Sequence, residues 1–142
     1  MSLIPTNLQA IPAETRRVAQ AAFPKGNRYV RLRDELGPLY QDEAFAQLFP
    51  SRGRPAESPG RLALITVFQF AEGLSDRAAA AAVQSRIDWK YALGLELTDA
   101  GLDVSLLVDF RARLVASEQA RLLFEVLLNR LRETKLVKAR GR

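Results

Sequence analysis

The chain has 142 residues, 48% of them apolar and 26% charged, and it contains neither cysteine nor histidine. Those two absences exclude disulfides, thiolate nucleophiles, the usual Cys/His zinc sites and the commonest general base. The net charge of +5 and pI near 10.1 invite a polyanionic partner, and the length suits a single domain over 1–142 with a core of its own.

From the N-terminus, the first basic-poor stretch carries no apolar core of the signal-peptide kind. Ile11 to Phe23 reads as an amphipathic helix opening at Pro12, with Val18, Ala19, Ala22 and Phe23 on one side. Pro24-Lys25-Gly26-Asn27 breaks it. Asn27 is then placed to cap a helix from Arg28 to Leu36, in which Tyr29, Leu32 and Leu36 share a face. Arg28, Arg31 and Arg33 lie elsewhere on that helix. They read either as phosphate contacts interleaved with Tyr29 or as a basic solvent face.

A short helix is expected over 41–48. The run from Pro50 to Pro59 is too rich in Pro, Gly and Ser for regular structure. It reads as a connector, with Arg52 and Arg54 beside Gly53 as flexible contacts to a nucleic-acid backbone or minor groove.

Ser58 and Pro59 carry the start signal of the next helix. From Leu62 to Ala71 its residues are apolar nearly all the way round, which a helix tolerates only when other elements surround it. The expectation is a buried central helix over 58–73, ended by Gly73. Ser75 caps a second helix beginning at Asp76-Arg77 and continuing through the run Ala78–Ala82. A third, short helix carries Trp89, Lys90, Tyr91 and Leu93 before Gly94 closes it. Three helices joined by tight turns predict an all-α fold, a compact multi-helix domain with a helix-turn-helix-like centre.

After a polar loop to Asp103, Asp103 or Ser105 caps a helix from Leu106 to about Val115, with Leu106, Leu107, Phe110 and Leu114 as its apolar stripe. Ser117 caps a last long helix. Leu123, Phe124, Leu127, Leu128 and Leu131 face one way along it, and Glu118, Arg121, Glu125, Asn129 and Arg132 the other. The segment 117–134 can pack on the central helix or pair two chains. The tail 135–142 is basic and expected to fray. Nothing approaches the ~18 apolar residues of a membrane span, so no membrane partner is expected and a cytoplasmic location is. Charge is uneven along this order. Residues 1–56 hold eight Lys/Arg against five acids, residues 57–104 four against seven, and residues 105–142 nine against four. Basic flanks around a mildly acidic centre suit a protein that holds a polyanion along its outer elements.

The strings EGLSDRAAAAAV, RIDWKYALGLEL and DVSLLVDFRARL resemble the N-terminal domain of bacterial insertion-sequence transposases with a DDE catalytic triad. DEAFAQLFPSRGRPAESP before them and LRETKLVKARGR after them extend the likeness over roughly 42–142. The resemblance implies binding of double-stranded DNA at the inverted repeats of an element. It also implies that the metal-holding carboxylates of an RNase H-like domain follow the ARGR phrase, beyond Arg142, so this chain is expected to be non-catalytic and to carry no cofactor, metal or small-molecule ligand of its own. Family sequences are more polar where Leu107, Val108 and Asp109 stand here, which puts direct base reading by that helix in question.

The candidate DNA contacts are Arg77 in the first turn of its helix, Arg86 in the following turn, Lys90 opening the third helix, and Arg111 and Arg113, with Arg52 and Arg54 as helpers. The competing reading makes Trp89, Tyr91 and Leu93 core and pairs Arg86 with Asp88 or Asp76. Asp99, Asp103 and Asp109 lie close in sequence but sit in a loop and at a helix start, where acids serve as caps. No phosphate-binding glycine loop is present. The expected function is a non-catalytic DNA-binding module; the alternative is a dimerisation module, or a truncated copy that inhibits transposition through mixed dimers.

Overall fold

A computed structural model describes residues 10–36 and 59–132. The short helix expected over 41–48, Arg52, Arg54, the Ser58 cap and the basic tail lie outside them. The described residues form seven α-helices and no strand, so the all-α expectation holds. They are α1 (Ala13–Ala22), α2 (Arg28–Leu36), α3 (Pro59–Glu72), α4 (Asp76–Ser85), α5 (Ile87–Leu93), α6 (Val104–Ala116) and α7 (Glu118–Arg132).

Side-chain caps set most of the starts. Asn27 Oδ1 accepts from the Tyr29 amide at 2.8 Å and the Val30 amide at 3.4 Å, which fixes the entry to α2. Ser75 Oγ accepts from the Ala78 amide, Asp103 Oδ2 from the Ser105 amide and Ser117 Oγ from the Ala120 amide. Each satisfies at least one amide that a helix start otherwise leaves without a partner, a contribution of about 1 kcal/mol. Between the two caps left open for α6, Asp103 is the one used, and the helix therefore begins two residues before Leu106. Gly94 ends α5 at φ 70°, a left-handed conformation that glycine adopts without a Cβ clash.

The centre of α3 is buried on every side: Leu62 through Gln69 are all inaccessible or nearly so. It packs against α4, α6 and α7. Thr66, which interrupts the apolar run, turns its hydroxyl back to donate to the Leu62 carbonyl at 2.9 Å, so its burial leaves no unmet donor. The far side of the core belongs to α5, which packs against α1, α2 and α4. The rings of Tyr29, Phe68 and Trp89 tie the two halves together, with centroids 4.7 Å apart for Tyr29–Phe68, 5.4 Å for Phe68–Trp89 and 6.0 Å for Tyr29–Trp89. Trp89 is completely buried, as are Tyr91 and Leu93, so the core reading of these residues is the one the fold adopts.

A seven-residue helix has little stability alone. Around α5, side chains from other helices satisfy carbonyls at and beyond its C-terminal end: Arg33 Nη1 donates to the Ala92 carbonyl at 3.0 Å and Thr15 Oγ1 to the Leu95 carbonyl at 2.7 Å. Arg33, read in the sequence as part of a basic face, is thus buried and works inside the fold.

Candidate nucleic-acid interface

The arginine and lysine candidates separate by what already holds them. Arg86 caps no helix with its side chain; it ties neighbouring helices together instead. Its guanidinium grips Asp88 with both prongs, Nε to Oδ1 at 3.1 Å and Nη2 to Oδ2 at 2.8 Å, and its third nitrogen reaches Glu72 Oε1 at 2.8 Å. It also lies 5.1 Å from the Trp89 ring and 5.6 Å from that of Tyr29. The Tyr29 hydroxyl donates to the other Glu72 oxygen at 2.5 Å, and Arg28 approaches that oxygen at 3.8 Å. Asn27 Nδ2 completes the node by donating to Asp88 at 3.3 Å.

The electrostatics follow from the geometry. Burial works against the Arg86 charge, but the Asp88 and Glu72 carboxylates outweigh it and hold the proton above the usual arginine range. The hydrogen bond from Arg86, aided by the one from Tyr29, keeps the Glu72 carboxyl below its ordinary value against the opposing effect of burial. Burial, then the adjoining Glu72 carboxylate, pushes the Tyr29 phenol well up. Of the two acids weighed for Arg86, Asp88 is the partner; Glu72, fourteen residues earlier, is the addition that local sequence did not point to.

Arg111 makes the second clasp. It meets Asp76 fork to fork, at 2.6 and 2.8 Å, from α6 to the first residue of α4. Gln69 donates to the same carboxylate at 2.9 Å. Hydrogen bonds from Arg111 and then Gln69 hold the Asp76 carboxyl down to about 2. Arg113 pairs with Asp109 one turn earlier on α6, at 3.2 Å and open to solvent.

Lys90 lies furthest from the expectation placed on it. The sequence reading set it at the start of a groove-facing helix, yet it is only 2% exposed, and its ammonium donates to the Asp99 carbonyl at 2.7 Å. Burial lowers its proton affinity, with Asp99 opposing. The cause is the position of α5, from Asp88 to Leu93 a buried helix with neighbours on three sides. Of α4 and α5, it is α4 that offers an exposed face, carrying Arg77, Ala81, Gln84 and Ser85.

Arg77 is exposed and has no acidic partner among the described residues. The same holds for Lys25, Arg31 and Arg121, none of which was among the principal candidates. The sequence leaves Arg31 open as a phosphate contact interleaved with Tyr29, whereas no sequence signal singles out Lys25 or Arg121. Gly26 sits at φ 93°, and a Cβ there would lie 2.8 Å from Arg31 Nη1, so the Arg31 guanidinium folds over the α1–α2 turn.

The three aspartates read as caps behave as local fastenings. Asp103 caps α6, Asp99 Oδ1 accepts from the Gly101 amide at 2.9 Å and Asp109 pairs with Arg113. Among the described residues no group of three or more His, Cys, Asp or Glu side chains is placed to hold a metal ion, and no helix is long and apolar enough to cross a membrane.

No curated protein and no solved structure matches the chain. The family described as Transposase domain (DUF772) matches residues 17–113, a stretch that runs from α1 through most of α6 and takes in both clasps and the buried α3–α5 centre. The chain belongs to that transposase domain family.

Proposed function

We propose that this domain is the DNA-binding part of a transposase, recognising the end DNA of its element without itself performing the strand transfer. What carries the reading is membership of the transposase domain family together with exposed cations that no acid of the described fold neutralises, Lys25, Arg31, Arg77 and Arg121. Cations in that condition cost little to bring to a phosphate, because no internal pair has to be broken first. Paired ones such as Arg86 must leave two carboxylates behind.

The sequence reading set the third helix, here α5, towards the groove, and that helix is buried from Asp88 to Leu93. With α5 buried, a groove-facing role falls to the exposed side of α4, whose small residues let a backbone come near and whose first turn carries Arg77. The test is a gel-shift titration with element-end duplex against a scrambled duplex of equal length. Tighter binding to the element end, weakening steeply as salt rises, is the expected result; equal affinity for both would reduce the domain to a nonspecific basic protein.

A second reading makes α7 a surface for a second copy. It is favoured by Leu122 and Val126, 57% and 66% exposed on the side of α7 opposite its core stripe of Ala120, Leu127 and Leu131. Sedimentation at micromolar concentration decides it: a tight dimer with no DNA affinity would replace the first reading with this one.

A further inference from the structure

Three clusters outside the hydrophobic core invite a further role: the exposed apolar side of α6 and α7, the Arg86 node, and the row of cations beside it. The last is the one the contacts carry furthest. Two turns of the chain, α1–α2 and α3–α4, are joined by a series of polar contacts. Asn27, which caps α2, donates to Asp88; Arg86 links Asp88 to Glu72, the last residue of α3. Just beyond the turn Asp76 opens α4, and Arg111 holds it from α6. Arg28 leans onto Glu72 from the α2 side, and Arg31 lies over Gly26 next to Lys25. Arg77 follows Asp76 directly.

Along this series Arg86 and Arg111 hold three carboxylates, Glu72, Asp76 and Asp88, while Lys25, Arg28, Arg31 and Arg77 stand within a few residues of it along the chain and are exposed. The carboxylates are already committed to the inner guanidinia, Glu72 and Asp88 to Arg86, and Asp76 to Arg111. The cations without an ion pair among the described residues are Lys25, Arg31 and Arg77, and Arg28, 51% exposed, reaches Glu72 only at 3.8 Å.

We propose that duplex DNA lies against this edge, with Lys25, Arg28, Arg31 and Arg77 contacting backbone phosphates while Arg86 and Arg111 hold the two turns in register. The inference rests on the DNA-binding reading above and names the face that does the binding. A duplex fits the edge because it is a linear polyanion whose phosphates accept from forked guanidinia without requiring a pocket. The division of labour is the new element. Of the cations that spacing alone nominates, Arg77 binds, Arg86 and Arg111 act through their carboxylate partners, and three residues of the α1–α2 region join the contact.

The test uses fluorescence anisotropy with a short labelled duplex of mixed sequence across a salt series, on the full chain. The triple variant Lys25→Gln/Arg31→Gln/Arg77→Gln removes the outer edge. A charge-matched control, Arg17→Gln/Arg130→Gln/Arg132→Gln, removes three cations of α1 and α7 that already have partners in the fold. Helical circular dichroism confirms that both fold. The edge variant is expected to lose at least roughly tenfold in affinity and to flatten the log–log salt slope by roughly three, while the control keeps the wild-type slope. Equal losses in both variants would overturn the proposal and leave only a net-charge effect, with DNA binding intact. Polyglutamate competing as well as duplex would also overturn it, in favour of an acidic protein partner. A wild-type chain that fails to bind any duplex at low salt would sink the DNA-binding reading itself.

Discussion

Arg86 and Arg31 are the same residue in two regions that could hardly differ more. Arg86 stands where helices meet, its guanidinium nitrogens directed at Asp88 and Glu72 and its plane near two aromatic rings. Arg31 stands on the outer side of α2, folded over a glycine turn, with no ion pair to an acid of the described fold. The first is a structural member that holds two carboxylates. The second is a charge that no ion pair of the described fold uses and that the proposed function assigns to a phosphate. An arginine's role here is set by acids elsewhere in the chain, fourteen residues away for Arg86 and thirty-five for Arg111, and not by its neighbours in sequence alone.

The sharpest way to probe the inner region is through its aromatic hinge. Trp89→Ala removes the ring packed against both Tyr29 and Phe68 and also leaves Arg86 without the ring beneath it. A loss of about 3–5 kcal/mol in denaturant unfolding is expected. A loss below about 1 kcal/mol would mean that the α3–α5 contact is not the keystone of the core. Next in size is Arg86→Gln, which keeps bulk but leaves Asp88 without its cation and Glu72 with only the more distant Arg28, at 3.8 Å. Because Arg86 remains about one-third exposed, water softens the penalty, and a destabilisation of about 2 kcal/mol is expected. Unchanged stability would erase the distinction between the two regions.

Much of the frame was readable along the chain because its signals are local. Asn27, Ser75 and Ser117 cap the helices they precede, and a cap needs only its own next three residues. The burial of α3 was legible because a helix apolar on all sides leaves no face for water. The membership in a transposase domain family was carried by phrases that the matched stretch contains in large part. The site was less legible. Lys90 has the look of a surface residue, and only the crowding of α5 by α1, α2 and α4 puts it inside, with the Asp99 carbonyl as its partner. Arg33 was hidden in the same way, behind a tertiary contact to Ala92. The pairing of Arg111 with Asp76 depends on how α6 lies across the start of α4, which no periodicity encodes.

The Arg111–Asp76 clasp sharpens the comparison by pH. The Asp76 carboxyl is held near 2 in the fold, and it returns to about 4 when unfolded. A depressed folded value means the unfolded chain takes up the proton first as pH falls. The contribution is therefore complete above about pH 4 and disappears between there and about pH 2. Wild-type stability should decline over that window, and Asp76→Asn should decline less steeply, since it has no carboxyl to protonate. At neutral pH the same substitution costs about 1 kcal/mol, a modest figure because the pair is partly open to water. Parallel acid limits for the two proteins in urea titrations would remove Asp76 from the inner region.

The smallest expected effect on stability is also the most informative about the outer region. Arg31→Gln breaks no ion pair among the described residues, so its unfolding free energy should stay within about 0.5 kcal/mol of wild type. Its DNA affinity should nevertheless fall, and the salt slope should flatten by roughly one, as removal of a single phosphate-neutralising cation requires. Arg86→Gln tests the opposite corner, where the fold weakens before binding can be judged. If Arg31→Gln destabilised the protein as much as Arg86→Gln, the guanidinium over Gly26 would be a fastening and not a reserve charge. The outer edge would then be an extension of the inner clasp, and the cations that meet DNA would be Arg121 and its neighbours on α7.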